Sequence, residues 1–214
     1  MPAGIPSHQG LILPLQRRFP RHIDALALCI GATMPDILDG LAYYYRGEMG
    51  QWLAHSLVGV LLGCVPVGVA LSLLTRRALP RSWLARLDGS AASLERPPSS
   101  SLGLVAASMA IGALSHLAFD LISHGNFPTL LPWVEGRRVF PDWWYTRWAT
   151  FDLPGYTHFY RKPYALEPHS LVWGALSVVG AVWFVQCLRA PRTEKTETTV
   201  TTPDVAASGS ATGA

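Results

Sequence analysis

The chain has 214 residues, enough for one domain with a full core. Half of them are apolar and only 14% are charged, against about 25% in a typical soluble domain, so there is too little charge to cover a water-facing surface. The net charge of +3 is too small to argue for a nucleic-acid partner. Cys29, Cys64 and Cys187 sit far apart in apolar runs, which excludes a disulfide framework or a zinc knuckle.

In chain order, Ser7-His8 comes first, ahead of the short apolar run Leu11-Ile12-Leu13. No cleavable signal peptide is expected, because Arg17, Arg18 and Arg21 follow this run instead of preceding it. Four segments approach or exceed the roughly 20 apolar residues that span a bilayer, at residues 25–45, 52–75, 102–123 and 170–188. The first contains Asp36 and Asp39 and ends in Tyr43-Tyr44-Tyr45, which suits a membrane interface. The second has no charged residue and contains Pro66, expected to kink it. The third carries His116 and Asp120, and the fourth has Trp173 and Trp183 near its ends.

Between the second and third spans, Asp88 to Ser101 reads as a flexible loop. Residues 125–167 form a long outer loop rich in Trp, Tyr and Pro, suited to an aromatic belt or a cap over a site. Residues 189–214, with few apolar side chains, are expected to be a disordered tail. The expected fold is therefore all-α. It is a helical integral membrane protein over residues 1–188, with about four transmembrane helices plus a short N-terminal re-entrant or amphipathic helix. A soluble all-helical protein is the weaker alternative, because the longest runs exceed what a buried core helix needs.

Three arginine-rich clusters orient the spans: Arg17, Arg18 and Arg21; Arg76, Arg77, Arg81 and Arg86; Arg189, Arg192 and Lys195. With four spans all three fall on one side, which the positive-inside rule makes cytoplasmic, with both termini inside. The expected location is the cell inner (plasma) membrane.

Ionisable residues inside these runs are the chemical signal. His116, Asp120 and His124 are four apart and stack on one helical face. Burying two imidazoles and a carboxylate in apolar surroundings costs several kcal/mol unless they find partners, and a divalent metal is the leading candidate partner. At about 1.5 Å per residue, Asp36, His55, His116, Asp120 and His124 all reach the outer half of the membrane. A half-helix from His8 to Gln16 rises about 13 Å and brings His8 near the midplane. The expected metal ligands are His8, Asp36, His55, His116, Asp120 and His124. Asp39 is the spare carboxylate, placed to orient a ligand imidazole or to act as general base. Mixed His/Asp ligation favours zinc, with manganese or iron as alternatives.

Several of these stretches resemble bacterial membrane proteins described as membrane-bound metal-dependent hydrolases, distantly similar to zinc-dependent phospholipase C. They are Ser7-His8 before Leu-Pro-Leu, Gly31-Ala32-Thr33-Met34-Pro35-Asp36, His55-Ser56-Leu57, and Gly112-Ala113-Leu114-Ser115-His116 with Asp120 and His124. The resemblance covers about residues 4–126 and implies a helical membrane protein with a His/Asp metal site. The expected activity is hydrolysis of an ester or phosphoester of a lipid-like substrate by a metal-activated water, with membrane lipid as the other partner. The alternatives are a small ion- or proton-handling transporter and a non-catalytic scaffold whose polar groups hold helices together. Substrate and oligomeric state are left open.

Overall fold

Three helices start where a short polar side chain closes the first turn. In a computed structural model describing residues 6–46, 52–88, 101–124, 133, 138–160 and 163–189, Asp24 caps α2 (Ala25–Gly31) by accepting from the Ala27 N–H at 2.9 Å. Ser56 caps α4 (Leu57–Gly59) through the Gly59 N–H, and Ser101 caps α7 (Leu102–Ser123) through the Leu104 N–H. These are the residue types whose side-chain oxygen satisfies an otherwise orphaned N–H.

The remaining helices are α1 (Ser7–Arg18), α3 (Met34–Arg46), α5 (Val65–Ala78), α6 (Arg81–Asp88), α8 (Pro154–Tyr160) and α9 (Pro168–Arg189). Four stretches are long and apolar enough to cross a membrane: Ala25–Ala42, Leu57–Ala78, Leu102–Ile122 and Pro168–Arg189. Leu62, Leu74 and Val178 stand largely exposed on them, as a lipid-facing surface requires. The described part of the segment between the third and fourth spans adds two strands that composition did not reveal, β1 (Ala149–Phe151) and β2 (Tyr164–Leu166). They pair antiparallel with Thr150 opposite Ala165.

The helix bounds refine the approximate spans at several points. The first span is not one unbroken helix: α2 ends at Gly31 and α3 restarts at Met34. Pro35 lacks an N–H and disfavours helix in the residue before it, so it sits comfortably only in a first turn. The second span begins at Leu57, because Leu53–His55 forms a separate 3-10 turn, and it runs on to Ala78. Ahead of Pro66 the helix widens into a π-helical turn, Val60–Cys64, which accommodates the missing donor. The fourth span is two residues longer at its start and ends at Arg189. The expected loop at 89–100, the tail at 190–214, most of 125–137 and the side chains of Tyr43, Tyr44 and Tyr45 lie outside the described residues.

The helices pack through small residues. At Gly112 an added Cβ would lie 2.2 Å from the Leu28 carbonyl oxygen, so only glycine lets α7 approach α2 this closely. The core beside this contact contains Ala27, Met34, Val60, Cys64, Val105, Met109, Ala113 and Leu117. At one end Arg76 of α5 pairs with Asp24, whose N–H is held at 2.8 Å by Ser108 of α7, and Arg17 of α1 bonds the Cys187 carbonyl of α9. The arginines that close α1, α5 and α9 thus share one end of the bundle. Cys29, Cys64 and Cys187 are free thiols.

Candidate metal centre

The break between α2 and α3 builds one wall of a buried polar cluster. It leaves the Ala32 carbonyl outside the helical ladder, and His116 Nδ1 donates to it at 2.8 Å. A carbonyl can only accept, so the Nδ1 of His116 carries a hydrogen, and in the neutral ring its Nε2 presents a lone pair inward. His55, set in the 3-10 turn, is fixed the same way, with Nδ1 donating to Asp39 Oδ2 at 2.7 Å. Both imidazoles are fully buried.

The two Nε2 atoms face each other at 3.3 Å. Asp36 Oδ1 lies 3.4 Å from that of His55 and 3.6 Å from that of His116, and Asp120 Oδ2 lies 3.5 and 3.4 Å from the same two nitrogens. One ligand atom from each of Asp36, His55, His116 and Asp120 falls within 4.8 Å of every other. Among the described residues Asp36 Oδ1 takes no hydrogen bond. With both rings neutral, two acceptor nitrogens and two acceptor oxygens converge in a buried space and have nothing to donate to one another. This donor set fits a cation, and the cluster can hold a metal ion.

The other three anticipated residues surround this group. His8 opens α1, is 2% exposed, and places its ring centroid 4.1 Å from that of His116. Its Nε2 is 3.8 Å from Asp120 Oδ1, and neither ring nitrogen makes a hydrogen bond among the described residues. His124, just past α7, bonds the Asp120 backbone carbonyl through Nδ1 at 3.2 Å and lies 3.7 Å from Asp120 Oδ1. It stands beside the group of four instead of within it, and burial holds its imidazole below the usual value. Asp39 sits behind His55: its oxygens accept from the Trp52 and Ala54 N–H groups as well as from His55. Of the two roles anticipated for it, orienting a ligand imidazole is the one this geometry provides.

The Ala32 carbonyl has no side-chain signature and was missed, although Pro35 marks the helix break that frees it. Asp24 was likewise not singled out, although an Asp just before an apolar helical run is an N-cap signal.

Residues 1–145 match a family described as a domain of unknown function, DUF4184. The chain belongs to that family. The matched region contains all seven anticipated site residues and stops before β1. No curated protein matches the chain, and no solved structure matches it.

Proposed function

We propose that the protein is a membrane-embedded, metal-dependent hydrolase that cleaves an ester or phosphoester in a lipid-like substrate. The observation that carries this reading is the convergence of two inward-facing imidazole Nε2 atoms with two carboxylates, at five separations of 3.3–3.6 Å. A tetrahedral zinc site with bonds of about 2.0–2.1 Å has ligand-to-ligand edges of about 3.3–3.4 Å. That agreement, with mixed N/O ligation, supports zinc, with manganese or iron as alternatives. The resemblance to membrane-bound metal-dependent hydrolases points the same way.

A divalent ion held there supplies a polarised substrate oxygen and a water of pKa near ~7. The chain's own residues do the rest. Asp39 and the Ala32 carbonyl keep both imidazoles in the tautomer that presents Nε2 inward. His8, with no hydrogen bond at either nitrogen, packs beside Asp120 and His116 as a neutral imidazole, since burial pushes its pKa down to about 4. Asp36, 17% exposed on its side chain, is the most accessible of the four and marks the side from which a substrate reaches the cluster. The arginine-rich end of the bundle is taken as cytoplasmic. The cluster then lies toward the opposite half of the membrane, where an amphiphile of the outer leaflet is the substrate class within reach.

The test is metal analysis of protein purified in detergent, with lipid ester and phosphoester hydrolysis measured in mixed micelles. Wild type is expected to carry stoichiometric metal and to lose both metal and activity in Asp120→Ala and His116→Ala. Metal-free wild type with activity unchanged in His116→Ala would end the proposal. Ion flux in proteoliposomes without any hydrolysis would favour a transporter instead.

A further inference from the structure

A second site lies away from the metal cluster, between α1 and α9. These helices touch backbone to backbone at Gly10, where an added Cβ would fall 1.6 Å from the Gly180 oxygen. Farther along, toward Arg18 and Arg189, a groove of about 370 Å³ opens, lined by Pro14, Arg17, Trp183, Gln186 and Cys187. The groove looks outward, because Pro14, Trp183 and Gln186 are exposed and little of α9 is covered by the rest of the protein. In a membrane such a surface meets lipid.

Its charge is one-sided. Arg17 reaches across to the Cys187 carbonyl through one terminal nitrogen, and its buried Nε makes no hydrogen bond among the described residues. Arg18 is the next residue on α1, Arg189 closes α9 two residues beyond Cys187, and both are exposed. No acidic side chain lines the groove. A guanidinium presents several donors in one plane, a geometry that suits phosphate oxygens. Basic pockets between transmembrane helices at the arginine-rich end are where anionic headgroups bind.

We infer that this groove binds one anionic phospholipid. Its phosphate sits at Arg17 and Gln186, and an acyl chain lies along Pro14 and Trp183. The site does not depend on the hydrolase reading, since none of its lining residues belongs to the metal cluster.

The experiment uses full-length protein equilibrated with vesicles of phosphatidylcholine and phosphatidylglycerol carrying the same acyl chains in equal amounts. Retained lipids and oligomeric state are then read by native mass spectrometry. Wild type is expected to keep one phosphatidylglycerol in preference to phosphatidylcholine. Gln186→Glu sets a carboxylate in the groove while leaving the Arg17–Cys187 bond intact, and it should reduce the retained anionic lipid about tenfold. Arg17→Gln should act in the same direction, and Arg21→Gln, outside the groove, should not. An unchanged midpoint of thermal unfolding in detergent in all three variants separates lipid loss from misfolding. The inference is overturned by equal retention of the two lipids in wild type, by undiminished retention in both groove variants, or by a lipid-free dimer.

Discussion

His55 Nε2 and His116 Nε2 face each other at 3.3 Å because each ring donates its only neutral-state hydrogen in the opposite direction, to Asp39 and to the Ala32 carbonyl. Two backbone and side-chain acceptors thereby set the direction of two lone pairs. Asp36 of α3 and Asp120, one turn beyond His116 on α7, close the same space. A cation at the centre relieves both the lone-pair repulsion and the burial of two carboxylates.

Taking the charge and one of the two acceptor oxygens from the residue behind His55 should loosen this arrangement without touching the four inward atoms. Asp39→Asn is expected to weaken metal affinity about 10–100-fold, measured by competition with a chromophoric chelator. Affinity equal to wild type would show that Asp39 does not orient the imidazole.

Metal should stabilise the folded protein by mass action. With free metal at about 100 times its dissociation constant, the expected gain is about 2.7 kcal/mol over the chelator-treated protein. It should appear as a higher midpoint of thermal unfolding in detergent. His116→Ala should unfold at the same temperature with and without metal, and a metal-dependent shift in that variant would argue against the cluster.

The close approach of α7 to α2 rests on Gly112, where a Cβ would lie 2.2 Å from the Leu28 carbonyl oxygen. Gly112→Ala forces the helices apart at a backbone atom that cannot rotate away, a destabilisation of about 1–3 kcal/mol. Because His116 lies one helical turn further along α7, metal content should fall together with the unfolding midpoint. Retention of both at wild-type levels would contradict the packing.

The part-buried pair of Arg76 with Asp24 ties the end of α5 to the start of α2. Asp24→Ala strands the guanidinium and removes the α2 cap, so a loss of about 3–5 kcal/mol is expected. Arg76→Met strands the carboxylate. The double variant should recover part of the combined loss in a thermal-unfolding cycle, and strict additivity would mean the two residues do not interact.

Much of this arrangement could be read from local pattern. The runs from Ala25, Leu57, Leu102 and Pro168 are apolar for long enough that lipid is their natural surrounding, because a helix satisfies its own backbone there. The spacing of His116 and Asp120 placed both on one helical face, and Asp36 and His55 stood out as ionisable residues in or beside apolar runs. Local pattern was less informative at the breaks. Period and hydropathy carry straight through Ala32 and Thr33, and through Trp52 to Ser56, where the chain turns. The strand pair at Ala149–Phe151 and Tyr164–Leu166 is too short for an alternation to register.

From residue types and spacing alone, the chain was bound to be helical, lipid-compatible and rich in buried metal-type ligands, since those properties follow from neighbours three or four positions apart. Which nitrogen of each imidazole faces inward, that Asp39 stands behind His55 while Asp36 stands before it, and that Asp120 faces His8 and His124 with its other oxygen were decided only when separate helices packed. They depend on a carbonyl freed 84 positions away from His116 and on glycines that let helix backbones touch. No local pattern encodes the distance between segments that meet only in three dimensions.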